Sequence, residues 1–166
     1  MFLTGYHGTT SESANNIIKE GKFDISRSDT EWLGEGIYYY FDIDDAYKWR
    51  NTEAILHSVI KIEDSEYLDI DSKLGADIYN EMLECISEIH GKKISPSARV
   101  QQNQCAVMKM IWNEYPKVKV ISASFPTYQT VFKTLLDRRP TRKEFCVRNN
   151  ECIKCTQLIR KGDLDD

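Results

Sequence analysis

An imidazole at His7 stands beside Gly8, and a phenol at Tyr38 follows Gly34-Glu35-Gly36-Ile37. A neutral histidine near pH 7 can donate a hydrogen bond to a ribose hydroxyl. Glycine lets a ligand amide approach the backbone N–H and C=O closely. Tyr38 and Trp49 offer aromatic faces, to which a cationic ring would add cation–π attraction. These residue types describe a cleft for a flat, polar molecule. A carboxylate near Glu144 would extend the chemistry to an anomeric carbon, where cleavage develops positive charge.

Local patterns predict the elements that must hold these groups. Residues 2 to 7 read as a strand ending at His7. Thr10 or Ser11 can cap a helix with the apolar stripe Ala14, Ile17 and Ile18, and Gly21 stops it. Phe23 to Glu31 is polar and reads as a loop, with the segment up to Leu33 a candidate lid. Ile37 to Phe41 is strand-like, and Asp44 or Asp45 can start a short helix carrying Ala46, Tyr47 and Trp49. Further strands are expected at 54–62, 67–70, 117–122, 144–148 and 152–159. Helical spacing covers 73–90 and 100–115, and a brief helix is expected over 128–137 before Pro140. Strands without regular strand–helix alternation predict an α+β domain on a mainly antiparallel sheet with inserted helices.

The chain has 166 residues, 41% hydrophobic and 29% charged, which suits one folded domain over residues 1–162 with a frayed tail at 163–166. A formal net charge of -4 gives no global attraction to nucleic acid, although local basic patches remain. No apolar run reaches the length of a membrane-spanning helix, and Met1 to Tyr6 lacks the pattern of a secretory signal. The expected location is therefore cytoplasmic, with no membrane partner and with delivery into another cell left open. Five cysteines, Cys85, Cys105, Cys146, Cys152 and Cys155, argue against a complete disulfide framework.

Tyr6-His7-Gly8-Thr9 followed by Gly34-Glu35-Gly36-Ile37-Tyr38-Tyr39 resembles the first two motifs of ADP-ribosyltransferases of the diphtheria-toxin and poly(ADP-ribose) polymerase type. The resemblance spans residues 4 to 62 and returns over 141 to 159. It implies that family's split antiparallel sheet and NAD as co-substrate, with no metal. His7, Gly8, Thr9, Tyr38, Ala46 and Trp49 would then contact NAD, with the nicotinamide clamped between Tyr38 and Trp49. His7, Tyr38 and Glu144 would form the catalytic set. The family's third motif is a glutamate at or just before a late strand. Lys143-Glu144-Phe145-Cys146-Val147-Arg148 matches it best, and Glu151 is the rival.

The implied activity is transfer of ADP-ribose to a protein or nucleic-acid acceptor with release of nicotinamide, as in a toxin, effector or defence enzyme. An antitoxin or immunity protein would be a natural partner. NAD hydrolysis and non-catalytic binding on the same fold are the alternatives. RNA 2'-phosphotransferases share this fold, but no matching set of arginines surrounds the first two motifs.

Other features read as structural. Tyr39, Tyr40, Phe41, Tyr47 and Trp112 are expected to pack the core. Cys152-x-x-Cys155 lacks a second cysteine pair for zinc, so both thiols are expected to be core or half-buried. His57 and His90 receive no role. The run Arg138, Arg139, Arg142 and Lys143, with Arg148 beyond it, reads as a solvated loop or as a site for pyrophosphate or a nucleic-acid backbone.

Overall fold

Eight residues from Phe2 to Thr9 form β1, and Thr10 then turns the chain into α1 (Ser11–Glu20). The Thr10 side chain accepts from the Ser13 N–H, satisfying one of the orphan donors of the first turn. Gly21 closes the helix at φ 66°, a left-handed conformation that costs glycine little. In this computed structural model, residues 1–27, 31–89, 100–126 and 141–160 are described. The helix expected over 128–137, Pro140, Arg138, Arg139, His90 and the 163–166 tail lie outside them.

The remaining elements are β2 (Ile37–Tyr40), α2 (Ile43–Tyr47), β3 (Ala54–Lys61), β4 (Tyr67–Asp69), α3 (Lys73–Ile89), α4 (Val100–Glu114), β5 (Val120–Pro126), β6 (Thr141–Val147) and β7 (Ile153–Arg160). Asp42 caps α2, rather than Asp44 or Asp45, because its side chain accepts from the Asp44 N–H. The described strands join in the order β4-β5-β6-β2-β1-β3-β7, and only β4 and β5 run parallel. This is a mixed α+β fold with a largely antiparallel sheet.

The sheet is partly split along one seam. β1 pairs with β3 over eight consecutive positions, but with β2 only at Tyr6↔Tyr40. Beyond that pair β1 and β2 part. One sheet face packs Tyr39, Phe145, Leu56 and Ile60 with Ala14 and Ile17 of α1. The other packs Ile121, Ala123 and Cys146 under α3 and α4, and Tyr40 and Ile55 under Ala46 of α2. Phe145 stacks on Tyr39 at 5.2 Å, and its ring lies where a Gly5 side chain would stand. No helix among the described residues is long and apolar enough to cross a membrane.

Candidate active site

The split between β1 and β2 opens a cavity of about 560 Å³, within the roughly 300–1,000 Å³ usual for ligand pockets. Strand parity explains its composition. Tyr38, Tyr40, Arg142 and Glu144 share one face, because Tyr40 pairs with Glu144 in register. His7 belongs to the opposite face, against Phe23 and Tyr39. It still lines the cavity, since the strands have separated beside it.

The His7 Nδ1–H donates to the Tyr38 carbonyl at 2.8 Å, so the imidazole bridges the seam where strand pairing has stopped. A neutral ring with its proton on Nδ1 presents Nε2 as an acceptor, so toward a ribose hydroxyl it would accept rather than donate. Burial lowers the His7 pKa, opposed by the bond to Tyr38, and favours that neutral form.

The Tyr38 hydroxyl donates to the Gly34 carbonyl at 2.7 Å and accepts from the Leu33 N–H at 2.9 Å. Burial pushes its pKa far up. Tyr38 therefore offers a ring wall and no mobile proton. Gly34 takes φ 85°, and Trp112 donates to the Leu33 carbonyl at 2.8 Å, which fixes the loop that holds Tyr38. Trp112 itself is core, as its helical stripe predicts.

Glu144 is 7% exposed. Arg142 Nε stands 2.6 Å from Oε1, but the N–H is not aimed at the oxygen, and both atoms lack an aligned hydrogen bond. Desolvation raises the Glu144 pKa; Arg142 opposes this, and Asp45 and Glu31 add to it. The Arg142 guanidinium also lies 5.6 Å from the Tyr40 ring centroid and 5.9 Å from that of Trp49. An aromatic pair beside a carboxylate, occupied by the protein's own cation, is a surface suited to positive charge.

Five of the expected residues, His7, Gly8, Tyr38, Trp49 and Glu144, thus border one cavity. Thr9 and Ala46 do not border it. Ala46 is fully buried on the inner side of α2, and its carbonyl would stand 2.5 Å from a side chain added at Gly8. It sets how near α2 comes to Gly8. Glu151 is exposed on a 3₁₀ turn (Asn150–Cys152) between β6 and β7 and is not among the residues lining this cavity.

Tyr40, expected as packing alone, contributes to the lining, as do Glu31, Trp32, Arg50 and Arg142. The period-2 alternation from Tyr38 to Tyr40 and from Glu144 to Arg142 was the available signal for two of them. The candidate lid supplies Asp24, Ser26, Glu31 and Trp32 to one wall. The basic run divides: Arg142 enters the cavity, while Lys143 bonds Asp69 at 2.7 Å on the other face. Cys146 and Cys152 are buried but Cys155 is exposed, unlike the expected half-buried thiol. No cluster of His, Cys, Asp and Glu suited to a metal occurs among the described residues.

No protein-family model matches this chain, and no solved structure matches it. A stretch of 47 residues is 43% identical to an uncharacterized protein of Methanocaldococcus jannaschii. That match covers 28% of this chain and 22% of the archaeal protein, less than a quarter of its length.

Proposed function

We propose that this protein transfers ADP-ribose from NAD to a macromolecular acceptor and releases nicotinamide. The observation that supports this most is one cavity bordered by His7, Gly8, Tyr38, Trp49 and the buried, ion-paired Glu144. The residues reach it from β1, β2, the turn after α2, and β6.

In this reading, His7 Nε2 accepts from a ribose hydroxyl. The aromatic faces of Tyr38, Tyr40 and Trp49 enclose the cationic nicotinamide ring, which takes the place of the Arg142 guanidinium. The C–N bond at the anomeric carbon breaks, and its electron pair leaves with nicotinamide. Ionised Glu144 stabilises the resulting oxocarbenium-like charge. A nucleophile of the acceptor then bonds to that carbon and loses its proton. Hydrolysis is the second reading, because Glu31 brings a further carboxylate to the same cavity that could orient water.

Nicotinamide release from NAD, measured with wild type, Glu144→Gln and Glu151→Gln, tests the assignment. Glu144→Gln should lose at least about a hundredfold in rate, and Glu151→Gln should match wild type. Equal turnover in all three would refute a role for Glu144.

A further inference from the structure

We propose that a second, smaller cavity binds a phosphate-bearing ligand, a 5'-nucleotide in size and chemistry, through Arg27, Lys109 and Arg148. It does not rest on the NAD reading of the larger cavity. The two cavities lie back to back across a narrow strap. Ser26 and Gly36 form an isolated antiparallel bridge, with Ser26 N–H to Gly36 O at 2.9 Å and Gly36 N–H to Ser26 O at 3.1 Å. Alternation about that bridge turns Asp24, Ser26 and Gly36 toward the His7 cavity, and Ile25, Arg27 and Glu35 toward the other.

The smaller cavity measures about 400 Å³. Three cations from three separate elements meet there: Arg27 from the strap, Lys109 from α4 and Arg148 just after β6. Glu35 is the one carboxylate among the described lining residues, so positive charge prevails among them on a chain whose formal net charge is -4. Such a reversal draws an anion to one spot.

Arg148 is held ready. Its guanidinium lies 5.4 Å from the Trp112 ring centroid, and its NH1 reaches the Trp112 carbonyl at 3.3 Å and the Pro116 carbonyl at 3.5 Å. Nε and the second amino group carry further donors. A guanidinium fixed before the ligand arrives loses little entropy on binding.

A single guanidinium already matches the planar pair of oxygens of a carboxylate. Cations converging from three directions suit a tetrahedral, multiply charged phosphate better. The volume exceeds a lone phosphate, and Asn113 and Glu35 supply an amide and a carboxylate for the rest of a nucleotide. That nucleotide could be free or part of a single strand, and the two sources differ in salt dependence.

Calorimetric titration of the full chain at roughly 50 mM salt, with inorganic phosphate, AMP and a single-stranded RNA of about eight nucleotides, tests the proposal. At least one probe should bind. Arg27→Glu and Lys109→Glu, both at exposed positions, should each weaken it by about tenfold or more while thermal unfolding stays as in wild type. His7→Ala should leave that binding intact. AMP binding as tightly as the RNA would identify a free nucleotide; tighter RNA binding with a steeper salt slope would identify a strand. No heat with any probe would overturn the proposal. So would binding that ignores both charge reversals, or that is lost with His7→Ala alone, which would locate the ligand in the larger cavity.

Discussion

Replacing Arg142 with methionine keeps an apolar stem between Tyr40 and Trp49 but strips Glu144 of its counterion. Breaking a fully buried ion pair costs about 3–5 kcal/mol. The Arg142 side chain is 32% exposed, so solvent already screens part of its charge. We therefore expect a loss of about 1–2 kcal/mol at pH 8. Within that, a floor of about 0.5–1 kcal/mol comes from the lost cation–π contacts and should not depend on pH.

The remainder follows the protonation of Glu144. Burial holds its pKa above the ordinary carboxylate value, so the folded state favours the protonated acid, and Glu144 opposes stability as pH rises through that value. Losing Arg142 raises the pKa further. The deficit of Arg142→Met should thus be largest at pH 8, where the carboxylate is ionised without a partner. It should shrink toward the floor at pH 5, where a proton replaces the guanidinium. Urea unfolding at both pH values, read as the midpoint at constant m, measures it. Adding Glu144→Gln to Arg142→Met should restore most of the pH-dependent loss at pH 8. An equal deficit at both pH values, or no restoration by glutamine, would refute the reasoning.

Gly8→Ala should destabilise the protein by about 1–3 kcal/mol, since the new methyl would meet the Ala46 carbonyl at 2.5 Å and Thr52 Oγ1 at 2.6 Å. A thermal melt unchanged from wild type would contradict the close approach of α2. His7 has a pKa lowered mainly by burial, so its contribution to stability is complete above about pH 6.5 and is lost as pH falls through the folded value. His7→Gln should flatten that part of the stability profile; identical acid limbs in denaturant titrations from pH 8 to pH 5 would argue against it.

Much of the local structure was legible along the chain, and particular residues explain why. Thr10 and Gly21 bound α1 because capping depends on a few neighbouring backbone groups. The apolar spacing from Ile78 through Met82 to Ile86 marked α3, because one helical face must meet the sheet layer. Glycines beside His7 and before Tyr38 pointed to a cleft, and both residues border one. Tyr40 packs with Ala46 and Ile55 as expected but lines the cavity as well, and Ala46 lies behind Gly8 rather than in the lining.

Both placements share a cause. Periodicity says which residues face together, but it is silent on where a strand ladder stops. Parting of β1 from β2 after Tyr6↔Tyr40, with His7 bonded across the gap, depends on contacts between segments far apart in the chain. Pairing of β2 with β6 is equally non-local, and it aligns Glu144 with Tyr40 and brings Arg142 over both aromatic rings. The types of groups available for chemistry, and the helices and strands carrying them, follow from short-range rules of spacing, capping and turn geometry. Which of them share a cavity, and which glutamate is buried beside a cation, follows from long-range packing that no window of neighbouring residues contains.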